Sequence, residues 1–185
     1  MTPGHWAGRR RTFLRLFGIH SLLIWTAALH AEAFSVYQIR MPFTDDRGRK
    51  VSLRDWSGRP AIVTMEYANC RFICSITLQR LKDVQAAADR AKRHFEFIVL
   101  SLDPKNDTPE AWTRYRKTRE LDRENWRFLT ASVSDTPGLA RQLGVRYWLY
   151  DEHIMHDFRL LRLNEEGQIV KVMDTYDADL STFVR

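Results

Sequence analysis

The sequence predicts an α/β fold: a central mixed sheet flanked by helices, with a hairpin extension at its N-terminal side. Three observations lead there. Apolar runs of strand length recur at residues 61–67, 95–100 and 126–130. The intervals between them carry helical spacing and helix-start signals. The chain before and after this stretch reads as hairpins. Alternating strands and helices put helices on both faces of a sheet, although alternation alone leaves strand order open. The 185 residues, 44% hydrophobic and 28% charged, suit one folded domain with a sizeable core.

Residues 1–33 are read separately, as a signal peptide or membrane anchor. Arg9, Arg10 and Arg11 form a basic start, Ile19 to Leu29 is mostly apolar, and Ala31-Glu32-Ala33 offers small residues at a cleavage spacing. The apolar part falls short of the roughly 20 residues that span a bilayer comfortably. Arg10-Arg11-Thr12-Phe13-Leu14-Arg15 resembles a twin-arginine signal, with Arg9 where that signal prefers Ser or Thr. The expected location is therefore outside the cytoplasm, in a bacterium the periplasm, free or anchored to the inner membrane. Disulfides can form there.

The domain is expected over residues 34–185. Tyr37–Arg40 and Lys50–Leu53 read as two short strands around an Asp45-Asp46-Arg47-Gly48 turn. Trp56-Ser57-Gly58-Arg59-Pro60 is a loop feeding the strand at 61–67. Leu78, Leu81, Val84 and Ala88 then recur at helical spacing, from a start near Ser75. Phe95–Leu100 is the next buried strand. Thr108-Pro109-Glu110 starts a helix: a capping hydroxyl, a proline suited to the first position and an acid suited to the positive helix end. Trp126–Thr130 is a strand, Thr136-Pro137 opens a helix that Gly144 stops, and Tyr147–Tyr150 is a short strand. Phe158–Leu163 and Gln168–Met173 form a hairpin around Asn164–Gly167, and a short helix begins near Ala178.

The net charge of +6 is mild, and no long basic run follows the leader. This reads as a solvated surface suited to an acidic docking partner, not as a nucleic-acid surface. No repeat or linker divides the chain, and a monomer is expected.

The chemistry centres on Cys70-Arg71-Phe72-Ile73-Cys74, which holds both cysteines of the chain. They lie between a strand and a helix. Side chains four apart on a helix stand roughly 5–6 Å apart at Cβ. Such a pair can share one soft metal ion or close as a disulfide, whose Cα atoms are roughly 4.4–6.8 Å apart. A helix N-terminus favours the thiolate that both roles need. Two buried, inert cysteines are the alternative, but inert residues have no reason to cluster at this junction.

A monovalent copper ion is well served by two thiolates and an imidazole. Of six histidines, three precede residue 33, and His94 reads as a charge at a helix C-terminus. His153 and His156 remain, in Asp151-Glu152-His153-Ile154-Met155-His156-Asp157. Spacing alone does not choose between them, or between a ligand, a plain loop residue and a weak divalent site with the nearby acids.

Four pieces of the chain together resemble the Sco/SenC family of copper-handling proteins linked to cytochrome c oxidase assembly. Gly58-Arg59-Pro60 with the following strand and Cys70-x-x-x-Cys74 resembles its metal-binding loop. Ser101-Leu102-Asp103-Pro104 with Asp107-Thr108-Pro109-Glu110 resembles its second signature. His156 resembles its ligand histidine, eleven residues before Gly167; His153 does not keep that interval. The opening hairpin resembles the family's extra element. Arg71 and Ser75 stand where the family commonly has proline. The resemblance implies a thioredoxin-like fold, Cys70, Cys74 and His156 as ligands of a copper ion, and Asp103 near the site behind the ligands. A turn residue before Pro104 is an equal reading of Asp103.

The function expected is that of a periplasmic copper chaperone delivering to the binuclear copper site of a terminal oxidase subunit. The alternative is a thiol–disulfide oxidoreductase in which Cys70 attacks, Cys74 resolves, and the acceptor's cysteines are kept reduced. A periplasmic copper donor or thiol reductant is a further expected partner. A copper-responsive signalling module shares the ligands without other support. The cysteine loop lacks a peroxidatic threonine-and-cysteine pattern.

Overall fold

The computed structural model describes Met1, residues 33–69 and residues 74–185. Expectations placed on the leader and on Cys70 and Arg71 lie outside the described residues, as do the side chains of Cys74 and Ser75.

Nine strands and four α-helices are described: β1 (Phe43–Asp45), β2 (Lys50–Val51), β3 (Ala61–Glu66), α1 (Cys74–Arg90), β4 (Glu96–Ser101), α2 (Pro109–Thr118), β5 (Trp126–Thr130), α3 (Thr136–Leu143), β6 (Tyr147–Tyr150), β7 (His153–His156), β8 (Leu160–Leu163), β9 (Ile169–Met173) and α4 (Leu180–Val184). Seven strands form one mixed sheet in the order β2-β1-β5-β4-β3-β8-β9. The centre is parallel: β3 pairs β4 from Ala61↔Glu96 to Glu66↔Ser101, and β4 pairs β5. β8 joins β3 antiparallel, and β1 joins β5 antiparallel at the other side. This is the expected thioredoxin-like arrangement.

Residues of β3, β4 and β5 are almost all buried, so their side chains alternate between two apolar layers. Ile62, Phe97, Val99, Trp126 and Phe128 pack against Leu78, Leu81 and Val84 of α1, Trp112 and Tyr115 of α2, and Phe183 of α4. Val63, Met65, Ile98, Leu100 and Leu129 face Leu139, Ala140 and Leu143 of α3 and the opening segment. Helices thus cover both faces. Among the described residues none is long and apolar enough to cross a membrane.

Helix ends follow local chemistry. The Thr108 hydroxyl accepts from Ala111 N at 3.2 Å, with Pro109 in the first turn. Gly144 closes α3 with φ +68°, a left-handed conformation that glycine adopts without strain.

Three sequence expectations change. Residues Val36–Gln38 form a 3-10 turn, and the first strand begins at Phe43. Long-range bonds occupy the expected strand: Val36 N donates to Gly167 O, and the Tyr37 hydroxyl donates to Arg59 O. The second strand stops at Val51 because Ser52 caps a 3-10 turn, Leu53–Trp56, in a reciprocal capping box with Asp55. Residues 153–156, read as a loop or strand start, pair with β6 from Tyr147↔His156 to Tyr150↔His153. Asp151 makes that connection with φ +56°.

Gly167 locks the β8–β9 hairpin to the opening segment. Its φ is +79°, and an added Cβ would stand 2.5 Å from Tyr37 Cδ2 and 2.6 Å from Ser35 Oγ. Gly167→Ala should cost about 2–5 kcal/mol, combining left-handed strain with overpacking. Denaturant unfolding of the two proteins measures this.

Candidate metal centre

The parallel strands β3 and β4 both end at the same edge of the sheet, and crevices at such carboxyl ends are where α/β sheets place ligands. From the end of β3 the chain enters the cysteine loop and then α1. From the end of β4 it enters the Asp103–Thr108 turn and then α2. The chain leaving β3 and the Asp103–Thr108 turn are joined there, Ala68 N donating to Asp107 Oδ1.

His156 ends β7 at this same place. It is buried, and its Nε2 lies 3.6 Å from Oε2 of Glu66, the last residue of β3. Its ring meets Tyr67 edge to face, with centroids 6.2 Å apart and planes at 78°. The Tyr67 hydroxyl also hydrogen-bonds the backbone of Ile154 in β7. The imidazole is thus held beside the strand exit that leads, within four residues, to Cys70.

His156 Nδ1 lies 3.0 Å from the Asp157 carbonyl oxygen. A carbonyl only accepts, so Nδ1 carries the proton and Nε2 the lone pair. Burial lowers the pKa of the ring, against the opposing effect of Asp157, which favours the neutral form that ligates metals. Asp157 is itself held low by the Arg146 guanidinium, 2.8 Å from its carboxylate.

Two further acids are buried here. Burial pushes the Glu66 carboxyl up to about 8; the Thr77 hydroxyl acts against the shift and Asp107 adds to it. Burial likewise raises Asp107 to about 7. Asp107 is well bonded: Oδ1 accepts from Ala68 N at 2.9 Å and Oδ2 from the Ser101 hydroxyl at 2.6 Å. Its carbonyl accepts from the Thr130 hydroxyl, whose oxygen accepts from Trp112 Nε1. This network ties the start of the cysteine loop to the ends of β4 and β5.

Asp107→Ala should therefore cost about 2–4 kcal/mol, since it strips partners from a buried amide and a buried hydroxyl. Asp107→Asn should cost less and change the pH dependence. Between about pH 4 and 7 the folded chain keeps a proton on Asp107 that the unfolded chain has lost. The stability from that proton is full at the acid end and lost as pH rises to about 7. Denaturation at several pH values should show a flatter profile for the asparagine variant.

Asp103 sits in the turn after β4. Its carboxylate accepts from Asn106 Nδ2 at 2.8 Å, and its backbone N–H donates to Ser101 Oγ at 3.0 Å. Its charge contributes to the raised pKa values of Tyr67 and Asp107. His153 opens β7, opposite Tyr150 and at the far end of the hairpin from His156. Cys74 is the first residue of α1. Among the described residues no three His, Cys, Asp or Glu side chains group as a metal cage.

Glu66 and Tyr67 escaped the sequence reading. An acid inside the apolar run Ala61–Tyr67 was the available signal for Glu66. The Tyr67 contact depends on where β7 lies, which no local pattern specifies.

Comparison with known proteins adds the family. The SCO1/SenC family model matches residues 32–182. The SCO1 protein homolog of Bacillus subtilis (strain 168) is 30% identical over 91 residues, 48% of this chain and 47% of that protein. The matched stretch thus covers about half the length of this curated relative. A SCO1/SenC family lipoprotein from Bacillus anthracis str. Ames has a TM-score of 0.71 at 19% identity, over 77% of this chain and 88% of that one. Arabidopsis thaliana ScoI, solved with copper bound, has a TM-score of 0.68 at 20% identity, over 78% and 90%. These structures share the fold, and the family model spans nearly all of the domain: the chain belongs to the SCO1/SenC family.

Proposed function

We propose that this protein is an exported copper chaperone. Cys70 and Cys74 hold a copper ion as thiolates, His156 Nε2 supplies the third donor, and the ion passes to the binuclear copper site of a terminal oxidase subunit. One observation carries this reading. The buried imidazole, with its lone pair on Nε2, lies beside the strand exit from which the cysteine loop departs.

The residues suit the cargo. Two thiolates and a neutral imidazole are soft and borderline donors that select copper over hard cations. Three donors leave one side open, so an acceptor thiolate or imidazole can attack before the ion is released. Asp107 and Tyr67 brace the loop base and the histidine strand. Asp103 acts behind the ligands through its charge. Copper bound to the Arabidopsis relative supports the same cargo here.

Residues 1–33 supply the export signal or anchor that places the protein in the periplasm, and the lipoprotein relative supports membrane-attached export. The direct test is transfer. The copper-loaded protein should metallate a soluble, reduced oxidase copper domain even with a chelator present that captures free ion. Transfer that stops when the chelator is added would overturn direct delivery.

A second reading is favoured by the position of Cys74 as the first residue of α1. A helix N-terminus lowers a thiol pKa, which keeps Cys74 available as the thiolate that resolves a mixed disulfide. Here Cys70 attacks the acceptor disulfide and Cys74 displaces the reduced acceptor, leaving the Cys70–Cys74 disulfide. A periplasmic thiol reductant then resets the pair. Trapping an acceptor mixed disulfide with Cys74→Ser would support this reading; failure to trap one would count against it.

A further inference from the structure

Glu66 is an anomaly in the core. It is the last residue of a fully buried six-residue strand, on the face covered by α1. Its side chain is 2% exposed, and among the described residues neither carboxyl oxygen makes a hydrogen bond of good geometry. Thr77, in the first turns of α1, is fully buried, and its hydroxyl favours the charged form of Glu66. Burying a carboxyl so weakly partnered is costly on general grounds, so its presence calls for a reason. Asp107, the neighbouring buried acid, has both of its carboxylate oxygens hydrogen-bonded.

The carboxyl points at the imidazole. Oε2 stands 3.6 Å from His156 Nε2, the nitrogen that carries the lone pair. That separation is too long for a hydrogen bond. It does suit two donors sharing one ion: donors each about 2 Å from a metal stand at most about 4 Å apart. α1 starts at Cys74, eight residues after Glu66, with its positive end toward the same region.

We propose that Glu66 is a fourth donor of the metal centre, an oxygen ligand that engages divalent copper and is dispensable for the monovalent ion. This rests on the reading that Cys70, Cys74 and His156 hold copper, and adds to it a preference between oxidation states. Divalent copper favours four donors in a tetragonal array and accepts carboxylate oxygen, whereas the soft monovalent ion is satisfied by sulfur and imidazole with fewer ligands. A carboxylate that binds one state and not the other makes the site hold the divalent ion more tightly. On reduction the ion keeps fewer bonds to the protein, which eases its departure.

The test uses the full chain with Glu66→Gln and, as a second variant, Glu66→Ala, each titrated with divalent copper and, anaerobically, with monovalent copper. Both variants should fold, because each removes a buried ionisable group that burial already disfavours; melting curves verify this. Divalent affinity should fall by about 10–100-fold in both, the range seen when groups that tune a metal site are lost. Monovalent affinity should stay close to that of the unaltered protein. The paramagnetic resonance spectrum of the divalent complex should shift toward fewer oxygen donors. Equal losses for both ions would make Glu66 a residue that only positions His156, and an unchanged divalent affinity and spectrum would make it a bystander. Either result overturns the proposal and leaves the three-ligand reading standing. Failure of the unaltered protein to bind either ion would overturn both.

Discussion

Cys74→Ser should abolish stoichiometric copper binding, and Cys70→Ser should do the same. Serine preserves the size of each side chain and removes the soft donor. A neutral hydroxyl is a poor ligand for monovalent copper, and the single remaining thiolate with one imidazole cannot match the three-donor site. Mutation of groups one layer behind a metal already costs about 10–100-fold in affinity. Loss of a direct thiolate should exceed that range. Competition titration under anaerobic conditions measures it, and undiminished affinity in either variant would remove that cysteine from the ligand set. The fold should tolerate both changes. The helix that begins at Cys74 is held against the sheet by Leu78, Leu81 and Val84. A melting curve close to that of the unaltered protein separates lost ligation from lost structure.

His156→Ala should weaken copper binding by about 100-fold or more while leaving thiolate ligation detectable. The ring also packs against Tyr67, so the variant should lose about 1–3 kcal/mol of stability to a cavity and a missing aromatic contact. Two controls distinguish the effects. Added imidazole should restore part of the affinity if the ring acts as a ligand, and should do nothing if it acts only as packing. His153→Ala should bind copper normally, since His153 occupies the opposite end of the β6–β7 hairpin. Spacing could not separate these two histidines. The interval to Gly167 chose His156, and the strand pairing gives that choice a physical setting.

The elements legible in the sequence were those whose ends carry local chemistry. Thr108-Pro109 opens α2 and Gly144 closes α3, because a hydroxyl cap, a proline and a left-handed glycine act within a turn of where they stand. The central strands were legible because a buried parallel strand is apolar on both faces. The opening segment was misread because Tyr37 and Val36 bond to residues far along the chain, Arg59 and Gly167. The β6–β7 pairing was missed because its turn is the bare Asp151-Glu152, without glycine or asparagine to announce it.

The site divides in the same way. The cysteine spacing was visible at once, and the Asp103–Glu110 stretch was visible as a motif. The role of Asp107 was not, since it depends on Ala68, in the turn after β3, and Ser101, at the end of β4, meeting it. The closeness of Glu66 to His156 is a fact of topology alone: the residues are ninety positions apart and meet because β7 returns to the end of β3.

The most direct measurement is the near-ultraviolet and visible absorption of the protein loaded with divalent copper. The account predicts an intense thiolate-to-copper charge-transfer band that saturates at one equivalent, is altered in His156→Ala and vanishes when both cysteines are replaced by serine. A copper complex with no such band, or one whose band survives loss of both sulfurs, would contradict it.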